Sequence, residues 1–102
     1  MIPAYTLDSG VEAHHAAPET FMLPPERDRR SLGRGDFAKL MFRLSDGNRE
    51  AVERMWVRVQ SVQGDEYVGI LDNEPQSTSA IGVGLRVEFK ADHVIQIQRD
   101  AS

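Results

Sequence analysis

From about residue 35 onwards apolar and polar positions alternate with a period of two, and before that point they do not. Asp36 to Leu44 (DFAKLMFRL) predicts a first strand, Val52 to Val62 a second, Tyr67 to Leu71 a third, Leu85 to Phe89 a fourth and Val94 to Gln98 a short last one. Turn-forming residues fall between them. Ser45-Asp46-Gly47-Asn48 carries an Asp-Gly pair, which supplies the positive φ angles of a tight hairpin. Gln63-Gly64-Asp65-Glu66 turns the chain again, Asp72-Asn73-Glu74-Pro75 stops the third strand, and Lys90 to His93 has room for a single helical turn. The pattern predicts a mainly β fold: a five-stranded antiparallel, SH3-like small barrel.

Residues 1–34 carry Pro3, Pro18, Pro24 and Pro25, spacings that forbid a long helix or a central strand. Asp8 or Ser9 can cap a short helix with Glu12 in its first turn, ending before Pro18. A second helical turn fits between Pro25 and Gly33. The expected organisation is an N-terminal arm (1–34) with one or two short helices, packed across a barrel (35–102).

Alternation assigns faces. Leu40, Phe42 and Leu44, then Val57 and Val59, Val68 and Ile70, and Leu85, Val87 and Phe89 form one apolar set. Phe37, Met41, Trp56, Tyr67 and Leu71 fall on the opposite face. Trp56, the single tryptophan, then has two readings. Phe21, Met22, Leu23 and Leu32 of the arm cover it, removing roughly 150–250 Å² of aromatic surface from water, or it stands open as an interface anchor. The apolar content of the arm favours cover.

The runs FMLPPERDRRSLGRGDFAKLMF, ERMWVRV, GDEYVGILDNEP and VEFKADHVIQI resemble a group of small bacterial proteins, domain-of-unknown-function family 2314 and its relatives, from about Thr20 to Ile97. The resemblance implies a compact β-rich domain and carries no catalytic residue with it. Gly84-Leu85 stands where the family leads one to expect a Gly-Asp pair, so the turn before the fourth strand is open to difference.

Length and charge narrow the classes. A chain of 102 residues holds one small core. With no cysteine there are no disulfides or thiolate sites, and a net charge of −4 argues against nucleic acid. No apolar run approaches a membrane span, and the first residues lack the pattern of a secretory signal, so a cytoplasmic location away from membranes is expected.

Candidate chemistry is sparse. Adjacent His14 and His15 diverge by about 100° on a helix, unlike the i, i+4 pair a metal prefers. His93 fits a backbone-bonding role. Asp65, Glu66, Asp72 and Glu74 lack a cleft to span, and Arg27, Arg29, Arg30 and Arg34 are interleaved with Glu26, Asp28 and Asp36. No catalytic residue, cofactor or metal is expected. The favoured function is a non-catalytic protein-binding module, monomeric or weakly dimeric. Its unknown protein partner would meet Trp56, Arg58 and Tyr67 with Asp72 and Asn73. The alternatives are a small-molecule regulator or enzyme, with an arm–barrel pocket lined by His14, His15 or His93, and a toxin-neutralising, immunity-type protein. Val57→Asp should unfold the domain, because it places an unpaired charge in the core, whereas Trp56→Ala should leave the barrel folded. Circular dichroism of both variants checks the assignment of faces, and exchanged effects would invert it.

Overall fold

The computed structural model describes residues 4–46 and 48–100. Among these residues there are six strands: β1 (Tyr5–Leu7), β2 (Phe37–Asp46), β3 (Arg49–Gln63), β4 (Glu66–Leu71), β5 (Arg86–Lys90) and β6 (Gln96–Gln98). Two short helices, α1 (Gly10–Ala16) and α2 (Glu26–Arg29), lie in the arm, and a single 3-10 turn (Ala91–His93) joins β5 to β6. The strands form one antiparallel sheet in the order β1-β2-β3-β4-β5, curled into a half-barrel, with β6 returning to β2. β2 and β3 pair from Phe37↔Arg58 to Asp46↔Arg49; Gly47 of the expected turn lies outside the described residues. Gly64 (φ 61°) supplies the left-handed conformation between β3 and β4. No helix is long and apolar enough to cross a membrane among the described residues.

Both halves of β2's second edge are taken up, by opposite ends of the chain. β6 pairs with Phe37 to Lys39, and β1 pairs with Phe42 to Leu44. In the gap, Ile95 N–H donates to Lys39 O and Asp8 N–H donates to Met41 O. α1 starts at that gap, with Ser9 accepting from the Glu12 amide as its cap. Gly10 fits there because a Cβ would come within 2.8 Å of Ile95 Cγ2 and 3.3 Å of Asp92 O. Arg43 of β2 grips both carboxylate oxygens of Asp8 (2.9 and 2.7 Å), fixing the junction between β1 and α1.

The interior holds Ala38, Leu40, Phe42 and Leu44 of β2, Met55, Val57 and Val59 of β3, and Val87 and Phe89 of β5, as the alternation predicts. β4 corrects it. Its inward residues are Tyr67, Gly69 and Leu71, while Val68 is buried outside the core cluster and Ile70 is half-buried. Register explains the inversion: Leu71 pairs with Val57, Gly69 with Val59 and Val87, and Tyr67 with Phe89. A Cβ at residue 69 would collide with Val57 Cγ1 and the Arg58 carbonyl oxygen. The inner row therefore needs a glycine where the apolar pattern needs a valine. A bulge between Val59 and Ser61 shifts the pairing farther along.

The arm also departs from expectation. It contributes a strand, β1, and it sends Leu32 into the main core rather than over the outer face. Three polar anchors hold it. The buried Tyr67 hydroxyl donates to Arg29 O (2.8 Å) and accepts from the Leu32 amide (3.4 Å). Arg29, expected on a solvated turn, is 7% exposed and donates to Pro24 O and Ala91 O. Asp36 accepts from the Gly33 and Asp100 amides and from Arg99. Tyr67→Phe keeps the ring and strands two buried backbone groups, so it should cost about 1–3 kcal/mol. Thermal unfolding, with amide exchange rising selectively over residues 26–32, measures that loss; exchange unchanged there would assign the anchoring elsewhere.

Candidate functional site

On the outer face of β3, alternation places Arg54, Trp56 and Arg58 in one row, and the register sets Met41, Lys39 and Phe37 of β2 opposite them. Lys39 Nζ lies 4.9 Å from the centroid of the Trp56 ring, and the Arg54 guanidinium lies 5.4 Å from that of Phe21, which reaches over from the arm. Such contacts are worth roughly 0.5–1 kcal/mol at exposed sites and leave the cation's outer donors unoccupied. Trp56 is half-buried and Arg58 is exposed. The arm thus meets this face at Phe21 and Arg54, while Met22 is 71% exposed and Leu32 is in the core.

The loop after β4 is bound to the same strand. The Trp56 amide donates to Asn73 Oδ1 and its carbonyl accepts from the Asp72 amide (3.0 Å), so the loop continues the ladder past the end of β4. Glu53, three residues earlier, accepts from the Gln76 and Ser77 amides and from the Ser77 hydroxyl. Burial raises the Glu53 pKa, but the bonds from Ser77 and Gln76 more than offset it and hold the carboxyl below its ordinary range. Trp56, Arg58, Asp72 and Asn73 are accordingly brought together. Tyr67 is not among them: it was assigned to the outer face, and lies 3% exposed in the core.

The charges on this face differ from those elsewhere. Arg29, Arg30, Arg43, Arg86, Lys90 and Arg99 each have a carboxylate within 4 Å. Among the described residues Lys39, Arg54 and Arg58 have none. Arg27, Arg34 and Arg49 share that lack, but lie on the arm, before β2 or at the β2–β3 hairpin. Clustering of arginines along the chain does not reveal Lys39 and Arg54; the cue is the pairing of β2 with β3, which sets Lys39 opposite Trp56 and Arg54 opposite Met41.

His14 and His93 bind backbone. His14 Nδ1 is 2.6 Å from Phe21 O, closing the turn after α1, and His93 Nδ1 accepts from the Lys90 amide (3.0 Å). Burial lowers the pKa of His93. One cleft between arm and sheet has Phe21, Leu23, Lys39, Arg54, Ile97 and Arg99 among its walls and no histidine, while His93 lines two others, beside Ser9, Ala13 and Met41 and beside Tyr5, Ile81 and Leu85. No three His, Asp or Glu side chains are grouped as a metal site among the described residues.

A family model described as "uncharacterized protein conserved in bacteria" (DUF2314) matches residues 12–97, and the chain belongs to that family. No curated protein and no solved structure matches it.

The Glu53 latch gives a pH prediction. Its folded carboxyl lies below the unfolded one, so its stabilisation is complete above the ordinary glutamate range. It is lost as pH falls through the lowered folded value. Glu53→Gln should destabilise the protein at neutral pH, and the difference from wild type in thermal midpoint should shrink towards acid. A difference constant with pH would remove the carboxylate from this role.

Proposed function

With membership of this bacterial family as the premise, we propose that the protein is a non-catalytic, cytoplasmic interaction module whose outer β2–β3 face binds an acidic segment of another protein. One observation carries the reading. In a chain of net charge −4, Lys39, Arg54 and Arg58 surround the tryptophan, and none of them has a carboxylate within 4 Å among the described residues. Trp and Arg are the side chains that most often dominate binding energy, and a rigid strand presents them without a backbone ordering cost. Asp72 and Asn73 act as support, since they fix the backbone of Trp56 from the far side. The SH3-like identity of the barrel belongs to the same proposal, supported by the return of β6 to β2 after a single 3-10 turn. Three cations against one carboxylate, Asp72, leave this face with a positive excess, which supports an acidic partner over the basic one that a toxin-neutralising role by charge would need.

The test is affinity capture with wild type, Arg58→Glu and Arg86→Glu. Arg86 sits on β5 and is already paired with Glu88. Wild type and Arg86→Glu should retain the same acidic partner, with retention falling as salt rises, and Arg58→Glu should weaken it roughly tenfold or more. Capture of a basic partner, or equal loss in both variants, would overturn the reading.

A further inference from the structure

The cleft between the arm and the sheet has a volume of about 660 Å³, within the range of roughly 300–1,000 Å³ typical of small-molecule sites. Its two kinds of lining are distinct. Phe21, Leu23 and Ile97 supply apolar surface from both the arm and β6. The charged groups are Lys39, Arg54 and Arg99 against a single carboxylate, Asp28. Arg99 is committed, donating to Ser31 O (3.0 Å) and to Asp36 (2.9 Å), with Asp28 at 3.9 Å. Lys39 and Arg54 are not: each rests against an aromatic ring, and neither side chain donates a hydrogen bond to a described residue.

A neutral apolar ligand would bury both cations without a partner, a costly arrangement. A bare inorganic anion would leave the apolar walls wet. A ligand that carries one anionic group on an apolar body satisfies both linings at once. We propose that this cleft binds a small amphipathic carboxylate, its head group held by Lys39 and Arg54 and its hydrocarbon body lying along Phe21, Leu23 and Ile97. The inference shares Lys39 and Arg54 with the partner reading, and Arg58, which only the partner reading uses, separates the two. Arg58 does not line the cleft.

Octanoate serves as the probe, with acetate and octanol as controls that lack the body or the charge. Titration is followed by Trp56 fluorescence, because capture of the head group draws Lys39 away from the ring, and by thermal midpoint, which binding to the folded state raises. The expected result is saturable binding of octanoate and none of either control at the same concentration. Binding should weaken roughly tenfold in Lys39→Gln and in Arg54→Gln, and be unchanged in Arg58→Glu. Two variants guard against one failing to fold, and circular dichroism identifies such a failure. Octanol binding as well as octanoate, retention of octanoate in the folded cation variants, or no octanoate binding by wild type would each overturn the proposal. Failure of the partner reading is read separately, from capture by Arg58→Glu, at a residue outside the cleft.

Discussion

A ten-residue strand has two edges, and the structure depends on how the second edge of β2 is closed. β3 occupies the first along its whole length. The second would present a row of unpaired backbone groups beside the core, each wanting a partner. β6 and β1, three residues each, close it end to end, and Asp8 and Ile95 fill the interval between them. Neither terminal strand is long enough to be stable alone. Each is held by what it is attached to: β1 by the grip of Arg43 on Asp8, and β6 by the bonds of Arg99 and Asp100 to Asp36. Gly10 is small because α1 must start within the interval, against Ile95 and the 3-10 turn.

From that edge the arm crosses to the other side of the molecule by polar contacts. Arg29 and Asp36 are the two charged residues in the buried set, and both are paired. Every buried side-chain polar atom has a partner among the described residues. Apolar packing tolerates small slips, whereas hydrogen bonds of fixed geometry do not. The Tyr67 hydroxyl and the Arg29 guanidinium therefore set where residues 20–32 lie. In doing so they place Phe21 against Arg54 and give the arm–sheet cleft its second wall. The chemistry of the outer face is thus a product of anchors on the inner one.

Much of this was legible in the sequence. Turn residues and alternation located β2 to β5 and the 3-10 turn, Ser9 announced α1, and three of the four inner rows were read correctly. The fourth failed because counting apolar residues cannot see a glycine that is required by crowding, nor a tyrosine whose hydroxyl is satisfied inside the protein. β1 is three residues long, too short for any period to emerge. Arg29 looked like its neighbours Arg27 and Arg30, and only its distant acceptor, Ala91, distinguishes it. At the site, Trp56, Arg58, Asp72 and Asn73 were visible, and three further residues were not. Lys39, Arg54 and Glu53 act through neighbours in space that lie far away along the chain.

The clasp of Asp36 on Asp100 joins residues 64 positions apart. Closing a loop of that length carries an entropic cost that its own few bonds do not cover unless the ends are already near one another. The hairpins β2–β3 and β3–β4, whose turns are short, can form on their own schedule. Their curvature then brings the site of the clasp within reach of the returning chain. The sheet thus combines two kinds of contact: hairpins between neighbours in sequence at its centre, and pairings of β1 and β6 on one edge of β2 that join distant parts of the chain.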